Sequence, residues 1–208
     1  MGDGAGVVVS DHSGNGHDGE LTGGQWSTVG RFGGALTLAT GDWVAVPSFP
    51  QASPSWTVSV WTYLTPADVN GQYETLISAE NVFAGGWQLH FDDRPGYSRY
   101  DAAYWVGAPI SDYVVLDCNC IETNVWSNLT AVFNGTAAQF TLYRNAVQVD
   151  QTEMPHLIAP GDSTLYLGRW NMNERRFSGS LDDVAIWNRA LTPDEITVVN
   201  RQPPPDAE

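Results

Sequence analysis

The sequence predicts an all-β chain: an antiparallel β-sandwich of about a dozen strands in two sheets, with one short C-terminal helix. Three observations carry that expectation. Runs alternating apolar and polar residues recur along the whole chain, the period of strands with one buried face. The 21 Gly and 12 Pro punctuate those runs, supplying turns and disfavouring long helices. Hydrophobic residues make up 42% of 208 and charged ones 16%, enough to bury a full core in a sandwich that remains one domain at this length. Residues 1–200 are read as that domain and 201–208 as a Pro-rich linker or tail, because three successive prolines favour extended geometry.

In chain order, the alternating runs place strands at Ala35–Leu38, Trp43–Val46, Trp56–Leu64, Glu74–Ala79, Trp87–Phe91, Ala102–Val106, Tyr113–Asp117, Asn128–Phe133, Gln139–Tyr143, Val147–Gln151, Thr164–Gly168 and Ser180–Trp187. Asn134-Gly135 and Arg144-Asn145 sit between runs as tight hairpin turns, fixing the register from Asn128 to Gln151. The helix follows Leu191. Thr192 can cap it, Pro193 suits its first position and Glu195 completes a capping box, leaving Ile196, Val198 and Val199 to cover an open edge or end of the sandwich.

Charge narrows the partners. The net charge of -15 sets 24 acids against nine bases, all arginine. A chain with no Lys and no basic stripe lacks the footprint that neutralises phosphates, so nucleic acid is excluded as a partner. Anionic membranes and polyanionic glycans are disfavoured unless Arg94, Arg99, Arg169, Arg175 and Arg176 converge. No run of about 18 apolar residues offers a membrane span. The start Met1-Gly2-Asp3-Gly4 lacks a basic segment followed by an apolar one, and with the Pro-rich tail it reads as a module of a larger exported protein, secreted or on the cell surface. Cys118 and Cys120 flank Asn119; that spacing admits either a small disulfide or two free thiols.

One acid pair stands out. Leu181, Val184, Ile186 and Trp187 demand burial, so Asp182 and Asp183 between them need strong partners. Far away in sequence, Asp11-His12-Ser13-Gly14-Asn15-Gly16-His17-Asp18-Gly19 is a Gly-rich loop crowded with hard oxygen donors. Strand alternation puts Asp182 on the face of Val184 and Ile186 and Asp183 on the other, which selects Asp182 as the ligand. The competing reading is that Asp11 and Asn15 build turns while Asp182 accepts backbone amides.

Four blocks in order, Asp11-x-Ser13-Gly14-Asn15-Gly16-His17-x-Gly19, Gly30-Arg31-Phe32-Gly33-Gly34-Ala35-Leu36, Trp56-Thr57-Val58-Ser59-Val60-Trp61 and Gly179-Ser180-Leu181-Asp182-Asp183-Val184-x-Ile186 through Leu191, resemble the laminin-G-like, concanavalin A-type jelly roll in its bacterial secreted branch. The resemblance implies a structural calcium ion held by Asp11, Asn15, His17 (through its carbonyl) and Asp182, stapling the N-terminal segment to the last strand.

Folds of this type host lectins, carbohydrate-binding modules, adhesion domains, glycoside hydrolases and polysaccharide lyases. The Glu-x-Asp-x-x-Glu strand of the retaining glucanases is absent, and lyases need a Tyr, a His and a basic neutraliser, which a Lys-free acidic chain supplies poorly. The chain is therefore read as no enzyme. Sugars present apolar C–H faces rimmed by hydroxyls, so a site for them needs exposed rings beside polar groups. From Trp87 onward, Trp87, Leu89 and Phe91 share the core face of a strand while Gln88, His90 and Asp92 face away. The candidates for ligand contact are Tyr97, Tyr100, Tyr104, Trp105 and Trp170, with Asp92, Arg94, Arg99 and Asn171 as hydrogen-bonding partners. The expected function is a monomeric, non-catalytic, lectin-like carbohydrate-binding module for a glycan or polysaccharide; the alternative is a protein-interaction or adhesion module of the same fold.

Overall fold

The computed structural model describes residues 4–50, 54–81, 85–106, 112–154, 163–171 and 174–202. Its strands are β1 (Val8–Val9), β2 (Gly19–Thr22), β3 (Gln25–Ser27), β4 (Ala35–Leu38), β5 (Trp43–Phe49), β6 (Trp56–Tyr63), β7 (Tyr73–Asn81), β8 (Gly85–Asp92), β9 (Arg99–Val106), β10 (Asp112–Cys118), β11 (Trp126–Asn134), β12 (Gln139–Arg144), β13 (Val147–Glu153), β14 (Ser163–Leu167) and β15 (Gly179–Trp187), followed by helix α1 (Pro193–Val199). They form an eight-stranded antiparallel sheet, β1-β2-β5-β14-β7-β8-β9-β10, and a seven-stranded one, β13-β12-β11-β6-β15-β4-β3. All twelve expected strands are present. The three additional ones, β1 to β3, are two to four residues long, too short to display a period.

The core lies between the sheets, and aromatic rings organise its centre. Trp56 stacks on Phe133 with ring centroids 3.8 Å apart, Phe133 on Phe140 at 4.3 Å, and Tyr104 meets Phe140 edge-on at 5.4 Å. This corrects the assignment of Tyr100 and Tyr104 to ligand contact. On β9 they share the inward face with Ala102 and are 1% and 0% exposed, whereas Arg99 and Asp101 take the outward positions.

Two turns differ in detail from expectation. Asn134 pairs with Gln139 across a four-residue loop, with the Asn134 side chain accepting from Ala137 N at 3.0 Å. The next hairpin turns at Asn145-Ala146, one residue later than read, and both take positive φ (51° and 63°), as a type I′ turn requires. Helix α1 has the capping box seen in the sequence. Ile196 and Val199 cover Val132 and Tyr143 on the outer face of the seven-stranded sheet, so the helix covers a face and not an edge, while Val198 is 48% exposed. Cys118 and Cys120 are joined by a disulfide.

The acids of β15 need a second correction. A β-bulge between Asp182 and Ala185, with Asp183 at φ 43°, breaks the alternation. Leu181 belongs to the core and Val184 and Ile186 pack against it, but Asp182 stands opposite Trp61 on the outer face of the seven-stranded sheet. It therefore does not share the face of Val184 and Ile186. The Pro-rich tail from residue 203 lies outside the described residues.

Candidate functional site

The outer face of the eight-stranded sheet carries an unusual density of buried polar groups. Alternation on β8 turns Gln88, His90 and Asp92 away from the core, as expected, and each is 2% exposed or less. On β7 a bulge between Thr75 and Ile77 lets Leu76 and Ile77 both enter the core, so Tyr73 and Thr75 before it, and Ser78 and Glu80 after it, all face outward. β9 adds Arg99 and Asp101. The segment after β14 lies over this floor. It is anchored where Thr75 N donates to Arg175 O at 2.8 Å and Ser78 Oγ to Arg169 O at 3.0 Å, and it carries Trp170 and Arg175 above the sheet.

These groups form one hydrogen-bonded ladder. Trp170 Nε1 donates to one oxygen of Glu80, and Gln88 Nε2 donates to the other. Gln88 Oε1 accepts from Arg175 Nη1 at 3.2 Å and from His90 Nε2. Arginine can only donate, so the Gln88 amide orientation is fixed, and His90 must carry its proton on Nε2. Its Nδ1 then accepts from the Tyr73 hydroxyl at 2.9 Å. Burial holds His90 well below the ordinary histidine pKa, with Arg175 and Arg99 acting in the same direction. Burial pushes Glu80 and Asp101 up to about 7, against the hydrogen bonds of Trp170 and Gln88 on the first and the charge of Arg99 on the second.

Above the ladder, arginines and aromatic rings alternate. The Arg175 guanidinium lies 4.5 Å from the Trp170 ring and 4.7 Å from Tyr73; Arg94 lies 4.7 Å from Tyr73 and 5.4 Å from Tyr97; Arg99 lies 4.5 Å from Tyr97. Farther along, Arg169 covers Tyr166 at 4.2 Å and Trp43 at 4.6 Å. Asp92 receives two bonds of 2.9 Å from Arg94 and one of 3.4 Å from Arg99, which also reaches Asp117 at 2.9 Å. Beside these rings opens a cleft of about 580 Å³ lined in part by Asn70, Tyr73, Glu74, Arg94, Arg175 and Arg176.

Asp92, Arg94, Tyr97, Arg99 and Trp170 thus come together on one face. Asn171 follows Trp170, half-buried, with its carbonyl oxygen unpartnered among the described residues. The side chain of Trp105 lies outside the described residues. Tyr73, Glu80, Trp43 and Tyr166 belong to the face but were not singled out from sequence, and Arg175 was named only among the arginines that could converge. For Tyr73 and Glu80 the obstacle is the β7 bulge, which hides that they share an outward side. His90 has no exposed surface, so the Tyr–His–Arg grouping presents no base to a polymer.

The residues assigned to calcium have other partners. Asp182, 1% exposed, accepts from Arg31 N at 2.7 Å, Phe32 N at 3.3 Å and Asp183 N at 2.8 Å. The Gly30-Arg31-Phe32-Gly33-Gly34 block builds that cradle. A Cβ on Gly30 would come 2.5 Å from Asp182 Oδ2 and 2.7 Å from Gly34 O. Asp11 accepts from Ser13 N (2.8 Å), Ser13 Oγ (2.8 Å) and His17 N (2.9 Å), and its carboxyl sits below the ordinary range through those bonds despite partial burial. Asn15 donates to Ser13 Oγ, and the His17 ring meets Phe49 edge-on at 5.4 Å. Among the described residues no group of three or more His, Cys, Asp or Glu side chains is arranged for a metal. Carboxylates ringed by N–H and O–H donors are built to hold backbone, and the set does not fit the calcium shell that the resemblance implies.

The sequence profile of the concanavalin A-like lectin/glucanases superfamily matches residues 38–197. No curated protein matches the chain by sequence. Among solved structures, domain 4 of AbnA, a GH43 extracellular arabinanase from Geobacillus stearothermophilus in complex with arabinotriose, is similar at 20% identity and a TM-score of 0.66, covering 88% of each chain. The receptor-binding domain of botulinum neurotoxin D is similar at 17% identity and a TM-score of 0.69 over 89% of this chain. The ligand-binding domain of serotype D in complex with N-acetylneuraminic acid is similar at 18% identity and a TM-score of 0.69. The chain spans about half the length of these toxin domains, 48% and 46%.

Proposed function

This chain belongs to the concanavalin A-like lectin/glucanase superfamily, and from that premise we propose that it is a non-catalytic carbohydrate-binding module of a larger exported protein, secreted or on the cell surface, which holds a glycan on the outer face of its eight-stranded sheet. One observation carries the reading: Tyr73, Tyr97 and Trp170 stand over a floor of hydrogen-bonded polar side chains beside an open cleft. Exposed Tyr97 and half-buried Trp170 can accept the C–H faces of a sugar, while the arginines against Tyr73 and the nearby amides meet its hydroxyls. The ladder beneath fixes the rotamers of Tyr73, Trp170 and Arg175 before a ligand arrives, which lowers the ordering cost of binding. The similar arabinanase domain, solved with a bound trisaccharide, supports the same class of ligand.

Catalysis finds no support in the geometry. Glu80, Asp101 and Glu74, raised into the range of a general acid, are 6%, 1% and 2% exposed, with Glu80 bonded to Trp170 and Gln88 and Glu74 to Ser178 N and Asn70. A screen against an array of neutral and acidic oligosaccharides tests the proposal. Selective binding that Trp170→Ala abolishes supports it. An array without a selective ligand, together with binding to a protein partner, replaces it with the adhesion reading.

A further inference from the structure

We infer that the cleft beside Tyr73 takes a carboxylated sugar, a uronic or sialic-type residue, whose carboxylate is received by Arg175. The inference rests on the saccharide-binding reading and goes on to name the ligand class. Arg94, Arg99, Arg144 and Arg189 each form an ion pair with a carboxylate. Arg175 forms none among the described residues: its one hydrogen bond goes to the neutral Gln88 Oε1, and Trp170 and Tyr73 lie against its guanidinium. Stacking of this kind holds the guanidinium while leaving in-plane N–H donors free, and a planar fork is the geometry that receives a carboxylate through two bonds. Arg175 has the longer-range attraction of Glu80 but no close ion pair, and a sugar hydroxyl can accept from it but cannot neutralise it. Glu80 is already committed to Trp170 and Gln88.

The cleft has the remaining parts. Arg94, paired with Asp92, and Arg176 also line it, while Asn70 and Gln72 offer amides for ring hydroxyls. Glu74 and Glu174 on the same walls disfavour a doubly charged phosphate relative to a monoanionic carboxylate. Arg175 also holds a positive φ of 50°, a conformation that aims its side chain over the floor and that its bond to Thr75 N secures. These arginines thus converge in a chain whose net charge of -15 repels long polyanions, so a short acidic segment binds better at physiological than at very low ionic strength, where repulsion reaches farther.

The test is calorimetry with matched pairs: trigalacturonate beside its methyl ester, and sialyllactose beside lactose, each against the wild type, Arg175→Gln and Arg175→Lys. The expected result is that one acidic member binds at least about tenfold tighter than its neutral twin, that Arg175→Gln removes this difference, and that Arg175→Lys keeps part of it. Unchanged melting temperatures show that the variants are folded. A wild type that binds the neutral twins as tightly, or a preference that survives Arg175→Gln, overturns the inference and leaves the saccharide reading standing. A wild type that binds no saccharide in either the pairs or the array removes both.

Discussion

The two outer faces of the sandwich hold buried carboxylates in opposite ways. On the seven-stranded sheet, Asp182 is enclosed by backbone amides of a Gly-rich loop, with Phe32 and Arg31 packed on Trp61 beside it at 5.8 Å and 4.5 Å. On the eight-stranded sheet, Glu80 is held by side chains, Trp170 and Gln88, next to an open cleft. The first carboxylate fastens a loop through backbone amides; the second is pushed up to about 7 by burial, against the bonds of Trp170 and Gln88. The contrast separates a structural face from the face proposed for binding.

The largest expected effect is on the structural side. Asp182→Ala strands three amides in a buried site and costs about 3 kcal/mol or more. For a domain of this size that lowers the melting temperature by about 6–12 °C, while glycan affinity per folded molecule stays unchanged. Equal loss of affinity would merge the two faces into one unit.

Next comes the pH dependence of Glu80. Its folded pKa of about 7 lies above the ordinary 4.5, so its contribution is fully present below pH 4.5 and is lost as pH rises through 7. Denaturant unfolding of the wild type against Glu80→Gln, from pH about 4.5 to 8, should show the wild type losing roughly 2–3 kcal/mol relative to the variant. A constant difference between the two would mean that Glu80 is ionised throughout.

On the binding side, Trp170→Ala removes a ring from the platform and a donor from Glu80. It should weaken glycan binding by about 2 kcal/mol, near thirtyfold, with a smaller drop in melting temperature than Asp182→Ala. The smallest effect is expected from calcium: melting curves with calcium and with EDTA should agree within about 1 °C, since a resident ion would stabilise in proportion to its free concentration. A calcium-dependent rise would show that the folded chain binds the cation.

How far the sequence reaches also differs between the faces. The fold, the twelve longer strands and the capped helix were legible because alternation, Gly and Pro punctuation and the Thr192-Pro193-Asp194-Glu195 cap are local signals. The outward positions of Gln88, His90 and Asp92 on unbroken β8 were legible for the same reason. Bulges were not. One at Asp183 moved Asp182 away from Val184 and Ile186, and one between Thr75 and Ile77 concealed Tyr73 and Glu80, because a single inserted residue inverts every later parity. The ladder from Glu80 to Tyr73 joins β7, β8 and the segment after β14, a meeting that only the strand order β14-β7-β8 creates.

The most direct test of the binding face is two-dimensional NMR of the labelled protein titrated with the tightest-binding oligosaccharide from the array. Chemical-shift changes are expected to concentrate at Tyr73, Arg94, Tyr97, Trp170 and Arg175, with Gly30–Gly34, Trp61 and Asp182 silent. Changes centred on the Gly30–Gly34 loop and Trp61 would contradict the proposed binding face and move the site to the seven-stranded sheet.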